Sequence, residues 1–122
     1  MRYKMSAAYA ALLTMAAIGN AFAHAELKSS VPEKDATVKM APSEVSIEFD
    51  EEINPKLSLI VVQDATGQHV DKGDSHIVGD DAKHLSVDLN PLKAGTYRVI
   101  WTSVATDDGH KVTDMFKFTV AP

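Results

Sequence analysis

The sequence predicts an all-β domain, an immunoglobulin-like Greek-key sandwich of about seven strands, and three observations predict it. Apolar and polar residues alternate over short stretches, as a strand with one buried face requires. Pro, Gly, Asn and Asp interrupt those stretches at intervals too short for helices of ordinary length. Trp101 and the Phe residues near it in the pattern supply side chains large enough to fill the space between two sheets.

The first residues have a different character. Arg2 and Lys4 form a positive start, Ala7 to Ile18 an apolar centre, and Ala21-Phe22-Ala23 a small-residue cleavage box, the three parts of a secretory signal peptide. The apolar centre is shorter than the roughly 20 residues a membrane-spanning helix needs. We therefore expect residues 1–23 to be removed on export and His24 to become the first residue of a single domain, 24–122. Of the 12 Lys and Arg, 10 lie in that domain, against all 17 Asp and Glu, a formal charge of −7. Such a balance disfavours nucleic acid and other polyphosphate partners. The chain has no Cys, which excludes a disulfide framework and thiolate metal sites.

Within the domain, Val45, Ile47 and Phe49 alternate with Ser46, Glu48 and Asp50, and Glu51-Glu52 ends that strand ahead of Asn54-Pro55. Leu57 to Val62 is a nearly continuous apolar run, which predicts a strand buried on both faces or near the sandwich centre. Asp64-Ala65-Thr66-Gly67 is a turn. From His69 to Lys83 the chain is polar and is expected to be its most mobile part, with a brief strand at Ile77-Val78. Leu85, Val87 and Leu89 alternate again. Tyr97, Val99 and Trp101 share one face of the next strand, and Leu92-x-x-Gly95-x-Tyr97 has the spacing of a tyrosine corner. Phe116, Phe118 and Val120 form the closing strand.

Chemistry is concentrated at two places. Asp108-Gly109-His110 sets a carboxylate and an imidazole two residues apart, near enough for both to reach one metal ion. Asp-Gly between apolar runs is equally the signal of a tight hairpin turn, so this stretch alone leaves both readings open. The second place is His24. A free N-terminal His can grip one metal with its α-amine and its imidazole Nδ1 together, and an α-amine with a reference pKa of about 7.7–8 gives up its proton at small cost near neutral pH. With the imidazole of His110 and an oxygen of Asp108 the set becomes three nitrogens and one oxygen, a tetragonal donor set of the kind that selects Cu(II). Zn(II) accepts the same groups but prefers a tetrahedral arrangement.

The sequence resembles the CopC family of periplasmic copper-resistance proteins across the whole of residues 24–122. The resemblance lies in His24-Ala25-Glu26-Leu27-Lys28-Ser29-Ser30-Val31-Pro32, in Val45 to Glu51, in Ala94 to Trp101, in Asp108-Gly109-His110 and in the Phe116 to Val120 strand. It implies that His24, Asp108 and His110 bind Cu(II) and that Glu51 stands beside the metal, holding the amine or an imidazole in orientation. Asp107 is the neighbouring alternative to Asp108, which has the better spacing to His110. The resemblance further implies a periplasmic copper carrier or buffer, with no catalytic step, that exchanges copper with an inner-membrane transporter such as the family's CopD partner. The Met-rich loop with which some members take Cu(I) is missing: after cleavage only Met40 and Met115 remain, outside any Met cluster. His69, His76 and His84 lie in polar segments with no paired ligand at a fixed offset. Two other readings compete: a copper-dependent oxidase of the histidine-brace type, and a metal-free sandwich used for adhesion or assembly.

Overall fold

Eight strands account for the domain in a computed structural model that describes residues 25–122: β1 (Leu27–Val31), β2 (Thr37–Val38), β3 (Glu44–Phe49), β4 (Leu59–Gln63), β5 (His76–Val78), β6 (Asp81–Asp88), β7 (Gly95–Val104) and β8 (Lys111–Val120). They form two four-stranded sheets, ordered β1-β3-β6-β5 and β2-β8-β7-β4. All pairs are antiparallel except the short parallel pair of β2 with β8. This is the all-β sandwich expected. The expected signal peptide and His24 lie outside the described residues, within which no helix is long and apolar enough to cross a membrane.

The inward rows of the sheets build one core. Val45, Ile47 and Phe49 of β3 and Leu85 and Val87 of β6 face Tyr97, Val99 and Trp101 of β7 and Phe116 and Phe118 of β8, all of them buried. Aromatic packing ties the layers together: the rings of Phe49 and Trp101, from opposite sheets, meet edge to face with centroids 5.4 Å apart. Tyr97 stacks on Phe118 at the same separation and donates its phenol to the Lys93 carbonyl at 2.6 Å, closing the tyrosine corner.

Two expectations change. The apolar run Leu57 to Val62 is not buried on both faces; it forms β4, the edge of its sheet, with Ile60 and Val62 inward, Leu59 44% exposed and Leu57 57% exposed. Such an edge offers unpaired N–H groups to other chains. Here the 69–78 segment covers it: Asp71 accepts from the Val62 N–H at 2.8 Å, Ser75 from the Ile60 N–H at 2.9 Å, and the Val70 N–H reaches the Val62 carbonyl at 2.8 Å. The same segment holds the other sheet, because Asp74 accepts from the Asp88 N–H at 2.9 Å and the Lys72 N–H donates to the Asp88 carbonyl. The polar composition expected to make this segment loose supplies the acceptors that tie it down.

Candidate metal centre

The loop between β7 and β8, residues 105–110, lies at one end of the sandwich. Its backbone is fixed from both sides. The Ala105 N–H donates to the His110 carbonyl at 2.9 Å and the Gly109 N–H to the Ala105 carbonyl at 3.0 Å. Gly109 takes a φ of +70°, which a residue with a Cβ adopts only at a cost. The connection is therefore not a two-residue type I′ hairpin, which needs two consecutive residues at positive φ. Asp108 accepts a hydrogen bond from the backbone N–H of His110 at 2.9 Å, so one carboxylate oxygen fixes the turn that presents the His110 side chain. Both residues are exposed at the tip.

The segment after β3 packs against this loop. Ile53 bridges Ala105, the Thr106 N–H donates to the Glu52 carbonyl at 3.0 Å, and the Asn54 N–H donates to the Val104 carbonyl at 2.8 Å. Ser58, itself buried, accepts from the Val104 N–H at 2.9 Å. These bonds hold the half-buried Glu51 on the same end as the loop, where Glu51, Glu52, Lys83, Ala105, Thr106 and Asp107 line a cavity of about 260 Å³.

His24 is outside the described residues, but Ala25, to which it is bonded, is fully buried at this end. The hydroxyl of Ser103, a buried inward residue of β7, donates to the Ala25 carbonyl. The next residue is clasped to the other sheet: the Glu26 N–H donates to Asp50 Oδ1 at 2.9 Å and the Asp50 N–H to the Glu26 carbonyl at 3.0 Å. The chain thus enters the fold between the last turn of β7 and the end of β3.

Of the four residues predicted for the site, the fold sets Asp108, His110 and Glu51 at one end. Among the described residues, no three His, Asp or Glu side chains are grouped closely enough to hold a metal ion. His69, His76 and His84 stand elsewhere: His69 is 3.6 Å from Asp71, His76 Nδ1 is 2.7 Å from the Asp74 carbonyl, and His84 lies opposite Glu48 in the β3–β6 register. Ser103 went unrecognised in the sequence. Its signal was a small polar residue continuing the inward row of Tyr97, Val99 and Trp101, where an apolar one belongs.

The family model of the CopC domain matches residues 27–121. This chain belongs to the CopC family. The Escherichia coli "Copper resistance protein C" is 36% identical over 116 residues, covering 88% of this chain and 90% of that protein. The "Copper transport protein CutJ" of Bacillus subtilis is 33% identical over 100 residues, which are 81% of this chain but only 18% of CutJ. Among solved structures, CopC from Methylosinus trichosporium OB3b superposes with a TM-score of 0.75 at 29% identity, covering 81% of this chain and 95% of that one. The methionine-rich copper resistance protein PcoC of Escherichia coli gives 0.68 at 35% identity, covering 80% and 99%. Membership of the CopC family makes this a copper-handling protein, on a fold that would otherwise imply no function.

Proposed function

We propose that the chain is exported to the periplasm, loses residues 1–23, and carries or buffers Cu(II) there without catalysing a reaction. The α-amine and imidazole of His24, the imidazole of His110 and a carboxylate oxygen of Asp108 form the ligand set, with Glu51 orienting one of the nitrogens. The observation that carries this reading is the anchoring of Ala25 by Ser103 and of Glu26 by Asp50. It holds residues 25 and 26 at the end of the sandwich that bears Asp108, His110 and Glu51, which supports a ligand supplied by the residue before them.

The donor set is amine, imidazole and carboxylate, hard to borderline groups that favour Cu(II) over Cu(I). Met40 is 84% exposed and Met115 39% exposed, on different strands or loops, so neither forms a thioether cluster. A CopD-like inner-membrane copper transporter is the proposed exchange partner. CutJ supports that role, since a region like this chain makes up 18% of a protein named for copper transport. The relatives' names, copper transport and copper resistance, support binding over a histidine-brace oxidase.

The test is an electron paramagnetic resonance spectrum of protein beginning at His24 with one equivalent of Cu(II). We expect a tetragonal signal with nitrogen couplings that His110→Ala alters and that His69→Ala, His76→Ala and His84→Ala leave unchanged. An oxygen-only spectrum, or equal losses in all four variants, would contradict the proposal.

A further inference from the structure

Among the described residues, Lys83 is the one cationic side chain that lines the cavity adjoining the candidate metal centre, with Glu51, Glu52 and Asp107. Along β6, Lys83, Leu85 and Val87 fall on one face, and Leu85 and Val87 are fully buried in the core. Lys83 therefore continues an inward row at the point where the sheets open toward the metal-binding end. The backbone fixes it there: the Ala82 carbonyl accepts from the Ile53 N–H at 2.9 Å and the Lys83 N–H donates to Asp81 Oδ1 at 3.0 Å. Among the described residues its ammonium forms no ion pair with any of the three carboxylates.

Building on the copper site proposed above, we infer that Lys83 is a countercharge that lowers the affinity of this end of the molecule for divalent cations. Without it, the cavity walls would carry three carboxylates beside a site that already uses a fourth, and a dication arriving there would be strongly held. A cation on the cavity wall offsets that field and disfavours the loaded state more than the empty one, because only the loaded state brings a second positive centre close. The lysine acts through space and touches no ligand. Its consequence for a carrier is release, since cargo held less tightly passes more readily to an acceptor.

The experiment compares Lys83→Gln with Lys117→Gln, which removes the same charge from β8 at the far end of the sandwich. Both lysines are exposed, so the core is untouched. Cu(II) affinity is measured by competition with a chelator at low and high salt, on protein beginning at His24. At low salt Lys83→Gln should bind Cu(II) about 3- to 10-fold more tightly than the wild type, as a unit charge roughly 10 Å from a dication in a near-aqueous medium predicts. The gain should shrink when the Debye length falls to about 3 Å near 1 M salt. Lys117→Gln should change affinity by less than about twofold. Unchanged or weaker binding by Lys83→Gln, or an equal gain in both variants, overturns the inference. If the wild type takes up Cu(II) with no nitrogen couplings in its spectrum, the underlying site is overturned, and that readout is independent of Lys83.

Discussion

The Ser103 hydroxyl donates to the carbonyl of Ala25, so a buried residue near the end of β7 fixes the first turn of chain after His24. The bond spans 78 positions in sequence and joins the N-terminal segment to the strand that leads directly into the 105–110 loop. The backbone at Ala25 and the start of the 105–110 loop are thereby held by the same strand.

Removing that anchor should separate binding from folding. Ser103→Ala leaves the buried Ala25 carbonyl without its donor, a cost of about 1–3 kcal/mol. The sandwich survives such a loss, but Cu(II) affinity should fall about 10-fold or more, as it does when a group that orients a ligand is lost. Ser103→Thr, which keeps the hydroxyl, should restore binding. Chelator competition on both variants checks this, and full affinity in Ser103→Ala would contradict it.

Much of this was legible in the sequence where one side chain reports one face. The inward rows of β3, β6, β7 and β8 follow from strict alternation, and the tyrosine corner from a fixed spacing ending at Tyr97. The Leu57 to Val62 run misled because a continuous apolar stretch looks alike at a sheet centre and at an edge. What distinguishes them is the cover supplied by Asp71 and Ser75, 9 and 15 residues further along the chain from Val62 and Ile60. Ser103 and Lys83 were missed for a related reason. Each is a polar residue on a core-facing row, and only the fold brings it near Ala25, for Ser103, or Glu51, for Lys83.

The tyrosine corner should contribute to stability through a single bond. Tyr97→Phe keeps the ring stacked on Phe118 and removes the donor to the Lys93 carbonyl, so unfolding should cost about 0.5–1.5 kcal/mol less. Chemical denaturation of the two proteins gives the difference directly. Cu(II) affinity should be unchanged, because Tyr97 lies toward the opposite end of β7 from the 105–110 loop.

Phe49→Ala should be far more damaging. Phe49 is fully buried and bridges the sheets through Trp101, so truncation leaves a cavity worth about 3–5 kcal/mol. A loss below 1 kcal/mol would mean that the two sheets do not depend on this contact.

Acid behaviour should center on Asp74 and Asp88. The Asp88 N–H, and then the Asp88 side chain, hold the Asp74 carboxyl below its ordinary range, while the shared side-chain bond pushes Asp88 above it. A lowered carboxyl stabilises the fold above its unfolded pKa and loses that contribution as pH falls through the folded value. A raised one does the reverse: Asp88 contributes fully only below its unfolded pKa and loses the contribution as pH rises through its folded value. Asp88→Asn supplies a permanent donor to Asp74. The variant should therefore melt higher than the wild type at pH 7, with the gain disappearing at pH values below the ordinary carboxyl range, where Asp88 is protonated in both folded and unfolded chains. Thermal melts at both ends of that range test this, and a lower melting temperature at pH 7 would contradict it.

The proposed copper site depends most on the α-amine of His24 as a ligand, and processing alone can test it. One extra residue before His24 converts that amine into an amide nitrogen, which coordinates copper only after losing a proton at high cost, while every side chain remains. The measurement is the Cu(II) affinity of protein beginning at His24 against protein beginning at Ala23, with both N-termini established by mass. We predict normal folding of both and binding weaker by about 100-fold or more in the extended protein, a loss of at least about 2.7 kcal/mol. Equal affinities would contradict the account and leave Asp108 and His110 as a surface site that does not involve the N-terminus.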